Sequence, residues 1–252
     1  PMKAALKAIS IILFKLEGQI IMRHPEYNMD DRLLLDKMDL GKGTVCIEGQ
    51  EYDLNDTYFP TIDFKQPYVL SEEEQSVMED LRASFRNSHV LRDHVEFLYE
   101  KGSIYRVYNG NLLFHGCIPL DEKGNLDGIQ IGEKFYCGKE YMDYAQRVAR
   151  LAFYQGTRPA LDFMWYLWCG KKSPLSGRNI KTFERTFVED KRAWEEAKDP
   201  YYRYYQQEDV CVRILGEFGL HSSMSHIING HTPIKVSDGE SPVKANNRLI
   251  VI

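Results

Sequence analysis

The sequence predicts a mixed α/β protein. Helical periodicity dominates the first hundred residues, whereas strand-like and helical segments alternate through the remainder. An Asn-Gly pair at positions 109–110, placed between two apolar runs, is the strongest short signal for a β-hairpin. With 252 residues, the chain can bury a substantial core as one large domain or two modest ones.

Residues 1–102 are expected to form a helical and hairpin region that flanks the core or is inserted into it. A long helix should begin at once and end before Pro25. The run GTVCIEGQEYDLND (43–56) alternates in polarity around Gly49 and is typical of a hairpin. Another helix should begin at Ser71, which forms a capping box with Glu74, and an apolar stripe continues it to Gly102.

Residues 103–252 are expected to carry the core strands, interrupted by a helical, basic insertion at about 120–222. The run SIYRVYNGNLLFHG (103–116) predicts two strands joined by a tight turn. Helices are predicted at 141–154, 160–168, 182–198 and 208–219. Three short strands are predicted in HIING (226–230), TPIKV (232–236) and NRLIVI (247–252).

Composition and charge exclude several classes of protein. A net charge of -5 and a pI near 5.9 argue against nucleic acid as a partner. Five scattered cysteines without a Cys-x-x-Cys pair favour a reducing, cytoplasmic location. No signal peptide opens the chain, and the apolar run 8–14 is too short to span a membrane. Helical periodicity at the first residues and a strand-like run at the last ones lead us to expect a longer protein around this chain.

Two of the seven histidines, His115 and His231, follow strand-like runs and stand next to a glycine. Neutral imidazole binds Mn, Fe or Zn well, and the carboxyl ends of strands are the usual place for ligands in open α/β sheets. Two hydrogen-bonded histidines with structural roles would fit the same pattern, so the residues alone leave both interpretations open. If they bind one metal ion, the two imidazoles must converge at adjacent strand ends.

The segment from residue 169 to 192 holds a local excess of cations in an acidic protein, and several lie in a loop rich in Gly, Ser and Pro. Such a segment suits a phosphate clamp, although a solvated helix face with ion pairs would have the same composition. The predicted substrate-binding residues are Lys171, Lys172, Ser173, Arg178, Lys181 and Lys191.

Longer strings resemble a known family. These strings are NLLFHGCIPLDEKGNL, WYLWCGKKSPLSGRN, KTFERTFVEDK, SHIINGHTPIKV and GESPVKANNRLIVI. Together they are similar to the class III fructose-1,6-bisphosphatase of bacteria, over nearly the whole chain. The shorter strings LLFHGCIP and INGHTP resemble the His-Gly and Gly-His elements of the calcineurin-like metallophosphoesterases.

The resemblance implies the later half of a metallophosphoesterase-type β-sandwich, flanked by helices and carrying helical and hairpin insertions. It implies hydrolysis of fructose 1,6-bisphosphate to fructose 6-phosphate and phosphate, in gluconeogenesis, by a dinuclear centre with Mn as the expected metal. His115 and His231 match two ligands of the same ion. The expected partner is a small sugar bisphosphate, with neither nucleic acid nor membrane, and a homo-oligomer is left open.

The superfamily's Asp-x-His, Gly-Asp-x-x-Asp-Arg and Gly-Asn-His elements do not occur in these 252 residues. The resemblance therefore covers a middle-to-late part of the enzyme without its amino-terminal metal motifs and without a complete catalytic set. Residues 1–252 alone are expected to bind metal weakly and to hydrolyse nothing. The alternatives are another metallophosphoesterase, such as a protein serine/threonine phosphatase, or a non-catalytic fragment or binding module.

Overall fold

A computed structural model describes residues 2–235, 237 and 239–252 and divides the chain into two compact units. The first unit contains residues 2–101 and 181–195, and the second contains residues 102–180 and 196–252. Helices and strands mix in both, so the predicted α/β class is confirmed. The described helices are α1 (Met2–Arg23), α2 (Glu72–Asn87), α3 (His89–Lys101), α4 (Gly138–Gln155), α5 (Arg158–Cys169), α6 (Thr182–Phe187), α7 (Tyr201–Tyr204) and α8 (Glu208–Glu217). The described strands are β1 (Met38–Asp39), β2 (Thr44–Ile47), β3 (Gln50–Asp53), β4 (Tyr105–Tyr108), β5 (Asn111–Phe114), β6 (Gly128–Ile131), β7 (Lys134–Cys137), β8 (Ile227–Asn229), β9 (Val243–Lys244) and β10 (Leu249–Val251).

The first unit is built around α1 and a three-stranded antiparallel sheet in the order β1-β2-β3. The helix ends before Pro25 and β2 and β3 form a hairpin, as predicted. Phe14 of α1 packs against Phe183 and Phe187 of α6, with ring centroids 5.3 and 5.9 Å apart. Residues 181–195 thus complete this core. This return of the chain to the first unit was not predicted from the sequence. Among the described helices, none combines the length and the apolar content that a bilayer-spanning segment needs.

The predicted capping box at the start of α2 is confirmed, and it also holds a buried ion pair. The Ser71 hydroxyl accepts a hydrogen bond from the Glu74 N–H at 3.3 Å, and the Glu74 carboxylate accepts one from the Ser71 N–H at 2.9 Å. The same carboxylate lies 2.7 Å from the ammonium of Lys15, which is fully buried. Because a buried charge needs a partner, this pair fixes the start of α2 against α1.

The single helix predicted from Ser71 to Gly102 is wrong. Ser88 leaves the helical region, with φ -80° and ψ 97°, and separates α2 from α3. Its hydroxyl accepts a hydrogen bond from the Leu91 N–H at 3.3 Å, so the residue that ends one helix caps the next. The apolar stripe of the two helices stays exposed, and α3 has no buried residue.

The second unit contains a five-stranded sheet in the order β4-β5-β8-β10-β9. Strands β5, β8 and β10 are parallel, and β4 and β9 are antiparallel edge strands. The predicted hairpin between β4 and β5 is confirmed, with φ of 48° at Asn109 and 74° at Gly110. Leu112 of β5 and Ile227 of β8 are fully buried in the same cluster as Ile214 of α8, which anchors the sheet where its parallel strands begin.

Three other expectations need correction. The helix predicted at 182–198 ends at Phe187, because Val188 is buried and pairs with Leu54; only a short 3₁₀ helix follows at Lys191–Trp194. The hairpin of β6 and β7 and the edge strand β9 were not predicted. Residues 232–235 form no strand, and Val236, the last residue of the predicted TPIKV strand, lies outside the described residues.

Candidate metal centre

The carboxyl ends of β5 and β8 bring His115 and His231 together. The two strands are parallel neighbours with Phe114 opposite Asn229, so the chain leaves the sheet at the same edge in both cases. Nδ1 of His231 lies 3.0 Å from Nε2 of His115, and the rings meet edge to face with centroids 4.9 Å apart. The Gly230 N–H donates to the His115 carbonyl oxygen at 3.0 Å, which fixes the two turns to each other.

This separation fits two ligands of one ion. Metal–imidazole bonds are about 2.0–2.1 Å long, so two nitrogens up to about 4 Å apart can reach the same ion. The 3.0 Å separation also suits a hydrogen bond from one neutral imidazole to the other. Within the described residues, no group of three or more His, Cys, Asp or Glu side chains is placed to hold a metal ion. Any ion that the two imidazoles share would therefore need ligands from outside the described residues.

Burial and nearby charges favour the neutral form of His231. Burial lowers the pKa of His231, and the charges of His115 and Arg178 lower it further. His231 also adopts a φ of 64°, in the left-handed region that non-glycine residues seldom occupy. Such backbone strain costs roughly 1–2 kcal/mol and is typical of functional sites.

Gly116 is required by a close approach of two backbone segments. A Cβ at this position would lie 2.4 Å from the carbonyl oxygen of Pro174 and 2.6 Å from that of Leu175. The Cys117 N–H donates to the same Pro174 oxygen at 2.9 Å. At Gly230, in contrast, the nearest atom would be 3.5 Å away, an ordinary contact. Gly116 therefore allows the turn that follows Ser173 to pack closely against the backbone beside His115. Gly230 has no such close neighbour.

Asn229 joins the two histidine turns, and sequence reasoning missed it. Its side chain is buried, and Nδ2 donates to the Gly116 carbonyl oxygen at 3.0 Å. A polar residue that ends the apolar pair Ile227-Ile228, directly before Gly230-His231, is the signal that could have identified it. Buried amide groups normally have specific partners: Nδ2 has one here, whereas Oδ1 has no hydrogen-bond partner among the described residues.

Arg178 is the member of the predicted phosphate clamp that lies beside the histidine pair. Its Nη2 donates to the Thr232 hydroxyl at 3.2 Å, one residue after His231. Its Nε is buried and has no hydrogen-bond acceptor among the described residues. Buried donors are rarely left unpaired, and Arg178 Nε is one of several buried polar atoms without a hydrogen-bond partner among the described residues, as Asn229 Oδ1 also is.

The side chains of Lys172 and Ser173 already form hydrogen bonds and ion pairs inside the second unit. The Lys172 ammonium lies 2.8 Å from the Leu120 carbonyl oxygen, 2.8 Å from Asp127 and 3.1 Å from Asp199. Burial opposes the charged ammonium, but the two aspartates outweigh it and raise the pKa of Lys172. The buried Ser173 hydroxyl donates to the Leu167 carbonyl oxygen. Phosphate binding by these two residues stays a prediction, and it would require these hydrogen bonds and ion pairs to break.

The other three members of the predicted clamp have different settings. Lys171 is half-buried in the second unit. Lys181 belongs to the first unit, is buried, and has its ammonium 3.4 Å from both Glu48 and Glu184. Lys191, in the same unit, is exposed, with Nζ 5.9 Å from the centroid of the Trp194 ring. Their role in substrate binding stays a prediction.

In open α/β sheets the carboxyl ends of parallel strands are the usual place for ligands, and the two histidines lie at this edge of the sheet. The family model described as Firmicute fructose-1,6-bisphosphatase matches residues 1–252. The chain belongs to this family, and the resemblance seen in its longer sequence strings is confirmed.

Curated relatives agree with the family assignment. The chain is 52% identical to the class 3 fructose-1,6-bisphosphatase of Clostridium tetani and 51% identical to that of Clostridium novyi, over 252 residues in each case. It is 49% identical to the enzyme of Clostridium acetobutylicum. Each match covers 98% of this chain but only 38% of the relative. No solved structure matches the chain.

Proposed function

We propose that this chain is part of an enzyme that hydrolyses fructose 1,6-bisphosphate to fructose 6-phosphate and phosphate, in gluconeogenesis. The family assignment and the names of the relatives support this substrate. The observation that carries the proposal is the 3.0 Å approach of His115 and His231 at neighbouring strand ends. A cytoplasmic location belongs to the same proposal, and the described cysteines are all free thiols.

His115 and His231 are proposed to bind one ion of a dinuclear divalent-metal centre, with Mn as the metal, whose other ligands lie outside the described residues. Such a centre supplies an activated water and neutralises charge on the phosphate. The chain's own contribution is to hold two imidazoles close together and to keep that of His231 neutral. Asn229, through Gly116, and the lowered pKa of His231 serve these two tasks.

The direct test is phosphate release by the protein as its gene encodes it, with any residues placed before Pro1 or after Ile252. With Mn²⁺, this protein is expected to convert fructose 1,6-bisphosphate to fructose 6-phosphate, whereas purified residues 1–252 alone should release almost none. The product is identified by a coupled assay for fructose 6-phosphate. Release of phosphate from a phosphoserine peptide at a higher kcat/KM would replace the proposal with a protein phosphatase, and no hydrolysis of either would favour a binding module.

Arg178 is proposed to bind an oxygen of the substrate phosphate beside the histidine pair. Arg178→Gln is expected to raise KM for fructose 1,6-bisphosphate by about 10–100-fold, since a charge-assisted hydrogen bond contributes roughly 1.5–3 kcal/mol. The reason is that Arg178 Nε is buried without an acceptor among the described residues. Steady-state kinetics on the gene-encoded protein provide the measurement.

The matched control is Arg192→Gln. Arg192 is exposed, belongs to the first unit and is bound to Asp190, with Nη2 and Oδ2 2.5 Å apart, so its loss removes one cation that already has a partner. KM should stay unchanged in this variant. Arg178→Lys should recover only part of the affinity, because lysine lacks the planar donor edge of a guanidinium. An unchanged KM in Arg178→Gln would reject the assignment.

A further inference from the structure

The first unit exposes an apolar groove and, separately, an apolar helix. The groove lies between α1 and α2 and has a volume of about 500 Å³. Its walls include Ile9 and Leu13 of α1 and Leu81 and Phe85 of α2. Exposed apolar surface of this kind, when it is continuous, usually marks an interaction site.

The groove has a cationic edge. Arg82 and Arg86 line it along α2, one turn apart, and neither forms a salt bridge within the described part of the chain. Two like charges at i and i+4 repel each other by a few tenths of a kcal/mol, so an acidic partner would relieve this contact. The groove therefore suits an apolar helix that carries acidic residues along one side.

Helix α3 has this composition. Val90, Leu91, Phe97 and Leu98 are all exposed, Phe97 by 59% and Leu98 by 64%. Asp93, Glu96 and Glu100 follow one another at spacings of three and four residues, which places them along one edge of the apolar face; of these, Glu100 is paired with Lys101 at 2.5 Å. Helix α3 and the groove are thus complementary in both apolar surface and charge.

Helix α3 is poorly placed to fill the groove of its own chain. Only Ser88 lies between the last residue of α2 and the first residue of α3. Two helices need a loop of about two to five residues to fold back on each other. A one-residue connection keeps α3 away from a groove that α2 itself lines.

We propose that two copies of this chain associate by exchanging α3, so that each copy places this helix in the α1–α2 groove of the other. The exchange is reciprocal, as a two-fold axis requires, and covers both apolar surfaces at once. Two helix-in-groove contacts also double the buried area, towards the roughly 1,200–2,000 Å² that specific dimers bury. The proposal does not depend on the phosphatase assignment.

Sedimentation velocity of the gene-encoded protein tests this proposal. The protein is expected to be a dimer, and Leu98→Glu should raise the dimer dissociation constant about tenfold or more, because it places a charge in the apolar contact. Leu98 is exposed in the single chain, so the variant should keep its circular dichroism spectrum and melting temperature. Val212→Glu, which adds the same charge to an exposed position of α8, is the matched control and should leave the dimer intact.

A charge exchange makes the test specific to these two surfaces. Arg86→Glu alone should weaken the dimer, and Arg86→Glu combined with Asp93→Arg should restore it, since the reversed charges again face each other across the contact. A protein that is monomeric at about 100 μM would overturn the proposal, as would a dimer that Leu98→Glu leaves unchanged. If the protein is a monomer and the amides of α3 exchange slowly, another segment of the same polypeptide covers α3. If the protein binds phosphatidylcholine vesicles and Leu98→Glu abolishes this binding, a lipid surface covers α3.

Discussion

Replacing His115 with alanine is expected to remove binding of one of the two proposed Mn²⁺ ions and nearly all phosphate release from the gene-encoded protein. His115 and His231 present ring nitrogens 3.0 Å apart, so loss of either imidazole removes one of the two proposed ligands. Loss of a group that only supports a ligand costs roughly 10–100-fold in metal affinity, and loss of a ligand itself should cost more. Isothermal titration with Mn²⁺ alone measures binding independently of catalysis.

His231 needs a different substitution, because its backbone lies in the left-handed region. Asparagine tolerates this conformation better than alanine, so His231→Asn removes the imidazole while it limits the change in backbone strain. This variant should lose metal affinity to the same extent as His115→Ala. His221→Ala, which changes an exposed histidine in the same unit, is the control and should bind Mn²⁺ like the wild type.

Normal Mn²⁺ affinity in both histidine variants would contradict the metal assignment. The 3.0 Å contact would then be a hydrogen bond between two imidazoles with a structural role. In that case the variants should lower the melting temperature without changing KM or the metal requirement. The two interpretations that the sequence leaves open are therefore separated by one pair of measurements.

The parts of the fold that the sequence predicted are those that short segments determine. Asn109-Gly110 needs two positive φ angles, and the Ser71–Glu74 capping box needs only one helical turn, so each is encoded by adjacent residues. The helix that was predicted through Ser88 failed for a related reason. An apolar stripe shows that helical residues are present on both sides of Ser88, but it does not show that a serine cap ends one helix and begins another.

The clamp was harder to predict because the partner of a charge is set by tertiary contacts. Lys171, Lys172 and Arg178 are close in sequence and similar in type. Nevertheless Lys172 pairs with Asp127 and Asp199, which are 45 and 27 residues away, whereas Arg178 turns to Thr232. Composition identifies a basic segment, but it cannot distinguish a cation that balances buried carboxylates from one that faces a candidate site.

The histidine pair depends partly on local sequence and partly on tertiary contacts. Each apolar run that leads to a His beside a Gly is a local signal, and β5 and β8 both lie within segments that were predicted to be strands. That β5 and β8 are neighbours follows only from the fold, since the two strands are more than 100 residues apart. Asn229, which joins the two turns, could not be ranked above other buried polar residues until this pairing was known.

Replacing Asp199 with alanine is expected to cause a large loss of stability, about 3–5 kcal/mol in the free energy of unfolding. The carboxylate is fully buried, and Oδ1 accepts hydrogen bonds from the Leu120 N–H at 3.0 Å and the Tyr201 N–H at 2.9 Å. Alanine leaves both amides without an acceptor, at roughly 1–3 kcal/mol for each buried donor, and it removes one of the two carboxylates that balance Lys172. Urea unfolding of the gene-encoded protein, followed by circular dichroism, measures the change.

Two further variants separate the contributions of burial and charge. Asp199→Asn keeps an oxygen that can accept from both amides but loses the negative charge, so it should cost less than Asp199→Ala. Asp127→Ala removes the other carboxylate from Lys172, but that side chain is 27% exposed, and water can replace part of the contact. Its loss should be near 1 kcal/mol or less, as for other solvent-exposed ion pairs. An Asp127→Ala variant that is destabilised as strongly as Asp199→Ala would show that burial does not decide the energetics of this cluster. Should Asp199→Ala fail to fold at all, the order of the other two variants still tests the explanation, because burial predicts the larger loss for Asp199→Asn.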